Sequence, residues 1–520
     1  MIAAYGVLLM KRLDANCRRV PTALCALSAA VFCSMLAGCN VGPKYVPPTA
    51  TAPALYKESP DQFKESGGWV VAQPQDATLR GKWWEIYNEP ELNALEEELN
   101  IDNENIKQAF ENFMEARALV REARSQYFPT VTIGGSTSRS QTSSTVGSFS
   151  TSGIPTGQQS SSFSLPADVS WEPDFWGRVR NTVRSNQYAA QLSAADLENE
   201  RLTEQASLAE YYFEIRGQDA LQDLLNQTVE DDKRAVASEK ARYENGVDDQ
   251  IALVEAQTTL ASVESTSTNL GIARAQYEHA IAMLVGKQAS TFSIPVRPFT
   301  TAPPPIPVGL PSQLLERRPD IAAAERNMAS ANALIDVAYA AYYPTMTLTA
   351  DGGVESSALK NLLEWPSRFW SVGASISETA YDGGLRRATV NLHIATYNAD
   401  LAAYRQSVLG AFQQVEDDLA EVRILSQQIL RQQQAVDSAQ TFLKLELARY
   451  NLGIDPYIDV VTAQTTLLNN QQTLTNIKVQ EMTASVQLIA ALGGGWDRSQ
   501  LPTPAQVTLK PAKLETKIQQ

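Results

Sequence analysis

The chain is 520 residues long, which calls for several domains or one elongated body. Hydrophobic residues make up 44% and charged residues 19%, an ordinary globular composition that argues against wholesale disorder. The formal net charge of −15 argues against a nucleic-acid partner, which needs a basic face, and suits cations instead.

The first 38 residues read as a leader. Lys11, Arg12, Arg18 and Arg19 form a positive region, and an uncharged apolar run follows from Pro21 to Gly38. That layout is a secretory signal, not a spanning helix, and Met10 is an alternative start. Leu36-Ala37-Gly38-Cys39 looks like a bacterial lipobox, which implies cleavage before Cys39 and lipidation of its sulfur. Asn40, where Asp would signal retention in the inner membrane, is compatible with the outer one. Cys17, Cys25 and Cys33 leave with the leader, so the mature chain has neither a disulfide nor a cysteine metal site. Its net charge becomes −18, because four basic residues and one acidic residue are removed.

Residues 39–89 form a lipid-anchored, extended segment, and after them the chain is duplicated. "ARYENGVDDQIALVEAQTTL" at Ala241–Leu260 returns as "ARYNLGIDPYIDVVTAQTTL" at Ala448–Leu467, identical at twelve of twenty positions and 207 residues apart. Repeat units of about two hundred residues are too long for a solenoid and mark a gene duplication. The first unit spans 90–288 and the second 314–495. A Pro-rich linker, 289–313, joins them, and a tail, 496–520, follows.

Each unit has the same predicted order. A helix comes first, over Pro90–Gln126 and Pro319–Tyr342, free of internal Gly and Pro. Two strands of about ten residues follow. In the second unit Met346, Leu348 and Ala350 alternate with Thr345, Thr347 and Thr349, and Trp370, Val372, Ala374 and Ile376 alternate with small polar residues. In the first, Val131, Ile133 and Gly135 and then Phe163, Leu165, Ala167, Val169 and Trp171 take every second place. Then come helices of some 65 residues, Arg178–Asn245 and Leu385–Leu452. Val408, Phe412, Val415, Leu419 and Val422, spaced four, three, four, three, form a coiled-coil seam. Gly246 and Gly453 end these helices, and a second helix returns from each.

Strands apolar on one face and Ser/Thr/Gly on the other, with aromatic residues at their ends, fit a membrane barrel. Four strands cannot close one, and open edges in a bilayer leave backbone groups unpaired at several kcal/mol each. The chain therefore pools strands with copies of itself. Two chains give eight strands, three twelve and four sixteen, and an eight-stranded barrel is filled by its own side chains.

"CNVGPKYVPP", "WWEIYNEPELNAL", "LLERRPDIAAAE", "YDGGLRRA" and the two repeated segments, in this order, resemble the TolC-type outer-membrane efflux proteins. The likeness is strongest to the OprM-like or NodT-like lipoprotein branch that serves resistance-nodulation-division pumps. It implies an α+β membrane protein: a homotrimer with a shared twelve-stranded outer-membrane barrel and a long periplasmic α-helical coiled-coil barrel. Its implied partners are outer-membrane lipid, a periplasmic adaptor (membrane fusion) protein and an inner-membrane pump. The chain would sit in the outer membrane of a Gram-negative bacterium, anchored at Cys39, and passively conduct drugs and small toxic compounds outward. Lys44 replaces the family's usual Asp.

On the family pattern the second hairpin tip forms a periplasmic gate. Asp459 matches one of two acidic places there, and Thr462 occupies the other. Ile458 adds an apolar constriction, and Glu255 is the corresponding acid of the first unit. Arg242, Tyr243, Arg449 and Tyr450 are expected to tie neighbouring hairpins, and Gly246 and Gly453 shape the tip that meets the adaptor. No catalytic, cofactor or metal site is expected. His279 and His393 lack ligand spacing, and no phosphate loop, nucleophile elbow or zinc motif occurs. The rival readings are a type I protein-secretion channel on the same fold and a non-conducting, lipid-anchored coiled-coil scaffold.

Overall fold

In a computed structural model, the structure describes residues 42–48, 56–58, 81–141, 143, 159–297, 302–304, 306 and 315–509. The leader and Cys39 lie outside the described residues. The chain divides into two compact units: Met1–Val46, Ala118–Gln187 and Ala329–Asn398 form one, and the remainder forms the other.

The first unit is built on an antiparallel sheet. Its strands are β1 (Thr130–Ile133), β2 (Ser136–Gln141), β3 (Gln159–Trp171), β4 (Thr345–Ser356) and β5 (Arg368–Ser377). The order is β1-β3-β4-β5, with β2 also on β3. β1 and β2 share one register on β3, with Ile133 opposite Ala167 and Ser136 opposite Ser164. They are a single strand interrupted at Gly134 and Gly135, where the sequence pattern predicts continuity. The cause is Pro166, which faces Gly353 on β4 and has no N–H for the ladder. Gly134 still donates to the Pro166 carbonyl at 3.0 Å. A Cβ on Gly353 would come within 2.3 Å of the Leu165 carbonyl oxygen, so glycine is what lets β4 pass the proline. A proline inside a central strand is unusual, and glycines on the strands either side of it accommodate it here.

β1 and β5 are exposed along nearly their whole length in the single chain, apolar and small polar positions alike. Ile133, Trp370, Val372 and Ile376 are all more than 70% exposed, as a lipid-facing surface requires. Polar caps close the strand ends. Trp171 Nε1 donates to the Tyr127 carbonyl at 3.0 Å, and Trp176 stacks on Tyr343 with ring centres 4.7 Å apart while donating to the Pro344 carbonyl. Among the described residues no helix is long and apolar enough to cross a membrane.

The helices are α1 (Pro90–Asp102), α2 (Glu104–Ser125), α3 (Arg178–Glu244), α4 (Gln250–Leu284), α5 (Pro319–Ala340), α6 (Leu385–Asn451), α7 (Tyr457–Ala491) and the short α8 (Pro504–Thr508). The single helix expected over Pro90–Gln126 is in fact two. Asn103 adopts an extended backbone between them, its side-chain oxygen accepts from the Ile106 N–H, and its amide donates to the Leu284 carbonyl. Asparagine competes well for such local bonds, and this tertiary partner fixes the break.

α3 and α6 are each 67 residues long, and with α4 and α7 they make two helical hairpins. In the second unit the α6 seam is buried as its spacing requires: Val408, Val415, Leu419 and Val422 pack with Ile477, Ala484 and Leu488 of α7, Phe412 alongside. A second core gathers Trp83, Tyr87, Leu99, Tyr212 and Phe213 with Ile281 of α4 and Val486 of α7. A buried ion network ties the start of the linker to it. Arg216 contacts Glu91 at 2.5 Å, Asp219 at 3.0 Å and the Pro295 carbonyl at 2.7 Å, and Arg274 holds Asp219 and the Ile294 carbonyl.

Candidate functional site

The two hairpin tips are the repeated motif seen in three dimensions. In the first tip Gly246, just past the end of α3, has φ +68°, and the Val247 N–H returns to the Arg242 carbonyl at 2.9 Å. In the second, Gly453 has φ +72° and the Ile454 N–H returns to the Arg449 carbonyl at 3.0 Å. This is the left-handed helix ending that the sequence predicts, and only backbone conformation demands glycine, since nothing lies within 4 Å of a Cβ at either site. The returning helices start differently. Asp249 caps α4 by accepting from the Ile251 and Ala252 N–H groups, whereas Pro456, at the matching place, gives α7 no side-chain cap.

Tyr450 joins the tips. It is buried, 7% exposed, packed against Ala252, Ala256, Tyr457 and Val460. Its ring meets Tyr457 edge-on, 5.4 Å between centres, and the Arg242 guanidinium lies 4.8 Å above it. Its hydroxyl reaches Glu239 at 2.5 Å and Asp248 at 2.7 Å, both on the first hairpin. A phenol has one proton to donate, so two carboxylates compete for it. Arg242, 3.2 Å from Asp248 and 3.8 Å from Glu239, supplies the positive charge that makes their approach tolerable. The Tyr450 hydroxyl, with Arg242, holds the Asp248 carboxyl below its usual range, while burial and both acids push the Tyr450 hydroxyl upward.

At the second tip Glu446, Arg449 and Asp455 come together as well, and among the described residues no tyrosine hydroxyl bonds to them. Arg449 pairs with Asp455 through both nitrogens it presents, one contact being 2.8 Å. Carboxylate oxygens of Glu446, Asp455 and Asp459 all lie within 4.8 Å of one another. Burial and the Asp455 carboxylate push the Glu446 carboxyl upward, and Arg449 holds Asp455 down. Ile458 is 45% exposed beside them, and the Thr462 hydroxyl is committed to the Ile458 carbonyl at 2.9 Å. Glu255 lies on α4, between Ala252 and Ala256 of the Tyr450 cluster in sequence.

Of the four residues expected to tie hairpins, the structure brings Tyr450 and Arg242 together across the two. Arg449 instead closes its own tip, and the Tyr243 ring is 43% exposed. Sequence reasoning missed Glu239, Asp248 and Tyr457. The signal was present for the first two, since Glu239 and Asp248 recur as Glu446 and Asp455 at the 207-residue offset.

The family model "Outer membrane efflux protein" matches residues 95–287 and 310–494. The solvent efflux pump outer membrane protein SrpC of Pseudomonas putida is 30% identical over 472 residues, covering 90% of this chain and 97% of its own. The antibiotic efflux pump outer membrane protein ArpC of the same species is 28% identical over 471 residues, 90% and 95% respectively. Among solved structures, the outer-membrane channel OprN superposes with a TM-score of 0.79 at 26% identity, over 88% of this chain and 100% of the other.

Proposed function

The chain belongs to the outer membrane efflux protein family, as the outer-membrane channel of an efflux system, and from that premise we propose that its hairpin tips are the gate. Three copies pool their strands into one barrel in the outer membrane, and their hairpins form a tube into the periplasm. A periplasmic adaptor meets the tips and links them to an inner-membrane pump of the resistance-nodulation-division type. Cys39 carries lipid. The cargo is small and amphipathic, of the antibiotic and solvent classes named for the relatives. The channel performs no chemistry, and the pump supplies the energy.

Closure rests on the Tyr450 contact. With its hydroxyl on Glu239 and Asp248 and its ring under Arg242, the second hairpin is held against the first. Charge-assisted bonds of this kind are strong but few, so adaptor contact that favours another packing releases them together. Asp459 and Ile458 narrow the mouth beside this clamp, one by charge and one by apolar bulk. The carrying observation is the buried Tyr450 hydroxyl between two carboxylates of the other hairpin. The test is single-channel conductance of Tyr450→Phe, and of Asp459→Ala, in planar bilayers. A several-fold rise in the first and a smaller rise in the second are expected. Wild-type conductance in both folded variants would remove the gate from the tips.

A further inference from the structure

The duplication makes the two tips offer the same acceptor but fill only one. In the first hairpin, Glu239, Arg242 and Asp248 receive Tyr450. The residues 207 positions on are Glu446, Arg449 and Asp455, identical in type and in spacing. These too converge, since the Glu446 and Asp455 carboxylates lie within 4.8 Å and Arg449 bonds Asp455. The tyrosine that would serve them by the same rule is the counterpart of Tyr450, which is Tyr243. Within the chain that residue points elsewhere: it is 43% exposed, against 7% for Tyr450. Arg449 is also the barer arginine, 52% exposed against 30% for Arg242, whose face is covered by the Tyr450 ring.

We infer that the second tip is completed by another copy of this chain, the partner subunit's Tyr243 placing its hydroxyl, with one proton to donate, between Glu446 and Asp455 and its ring under Arg449. The inference rests on the multi-copy assembly proposed above and goes beyond it by naming the donor, the acceptors and the direction. Each hairpin then accepts a tyrosine on one side and gives one on the other, so the contact propagates around a closed ring without a free end. Charge argues the same way. Glu446, Asp455 and Asp459 place three carboxylates against one arginine, and a hydroxyl donor with a ring edge offsets the excess where a further acid would worsen it. The acid cluster alone would be solvated surface. What makes it a seat is that its duplicate, in the same molecule, is occupied by a tyrosine.

Cysteine pairs test this, since the mature chain has only Cys39. A tyrosine and a glutamate that meet tip to tip hold their Cα atoms beyond the ~7 Å reach of a direct disulfide, so a bis-methanethiosulfonate spacer bridges the thiols. Tyr450→Cys with Glu239→Cys is expected to lose both free thiols while keeping the one-chain mass on a denaturing, non-reducing gel. With the same reagent Tyr243→Cys with Glu446→Cys is expected to give covalent dimers and larger products that reductant reverses, with a several-fold fall in conductance while bridged. The native mass in detergent is measured in parallel. Assembled protein whose Tyr243→Cys, Glu446→Cys pair stays monomeric on the denaturing gel overturns this inference and leaves the assembly standing. A monomeric native mass of the unsubstituted protein overturns both. Tyr243→Phe separates hydroxyl from ring: raised conductance is expected, and unchanged conductance with intact cross-linking removes the hydrogen bond from the proposal.

Discussion

The two hairpin tips start from nearly the same words and reach different states. Each has a glycine-ended helix, an arginine three residues past a glutamate and an aspartate after the turn. Yet one tip buries a tyrosine from its sister, while the other leaves its own arginine half exposed. The arginine and the two acids at the contact are alike, but the surface under the ring is not, since Ala252 beneath Tyr450 is answered by Asp459 in the second tip, and the neighbour each tip meets differs as well. Duplicated segments show cleanly how much of a local arrangement is local, because propensity is held nearly constant while the surroundings change.

The comparison breaks most visibly at the tyrosines. Tyr450→Ala removes a buried ring, the face on which the Arg242 guanidinium lies and the one proton shared by two carboxylates, and costs about 3 kcal/mol of tip stability, the usual lower bound for a buried aromatic. Tyr243→Ala in the isolated chain costs within about 0.5 kcal/mol, as exposed substitutions do. Hydrogen exchange across both tips measures the difference, and equal protection loss would mean the tips are equivalent after all.

The glycines provide the opposite test, where the tips should agree. Gly246→Ala and Gly453→Ala each force a Cβ into the left-handed region at about 1–2 kcal/mol. Both sites are otherwise open, so thermal denaturation of the two variants should shift alike. Unequal shifts would place a tertiary contact at one turn.

A pH difference sharpens the contrast. Asp232 on the first hairpin is buried, and desolvation followed by Asp231 pushes it up to about 6, while the second hairpin has Ala439 at the matching place. A raised folded pKa means the neutral acid suits the fold. The contribution is fully present below the unfolded carboxylate range near pH 4 and is lost as pH rises through 6. Between pH 5 and pH 8 the first hairpin should therefore loosen by about 1 kcal/mol, allowing for partial solvation, and Asp232→Ala should abolish the change. Hydrogen exchange around Asp232 in α3 compared with the stretch around Ala439 in α6 checks it, away from Asp418 elsewhere on α6, whose carboxyl burial pushes up to about 7. Asp248 runs the other way: its lowered pKa keeps the Tyr450 contact intact at neutral pH and yields it only in stronger acid.

The smallest expected effect lies at the helix starts. Asp249→Ala should cost about 1 kcal/mol by stripping two N–H partners from α4. Pro456→Asp should recover up to that amount for α7, which has no side-chain cap. Failure of the second to stabilise would mean the proline's restricted backbone already serves α7 as well as a cap would.

Much of the architecture was legible because it is written in short-range patterns. Alternation over ten residues, a four-three seam and a glycine after a long helix each depend on neighbours in sequence, and β4, β5, α3 and α6 fall within a few residues of their expected bounds. Two elements were not legible for the same reason reversed. The break at Asn103 is fixed by the Leu284 carbonyl, 181 residues away, and the interruption between β1 and β2 by Pro166 on the facing strand.

At the tips, the residues present twice and the point where each helix ends can be read along the chain, because both follow from composition and backbone conformation within a single turn. That Tyr450 and not Tyr243 is buried on carboxylates of the other hairpin within one chain follows from the packing of the helices. Glu239 and Tyr450 are 211 residues apart, and no local pattern records which copy of a repeated motif will face the other. The choice follows from where the chain brings each hairpin, since a hydroxyl is satisfied by whichever carboxylates come within reach once the helices have packed.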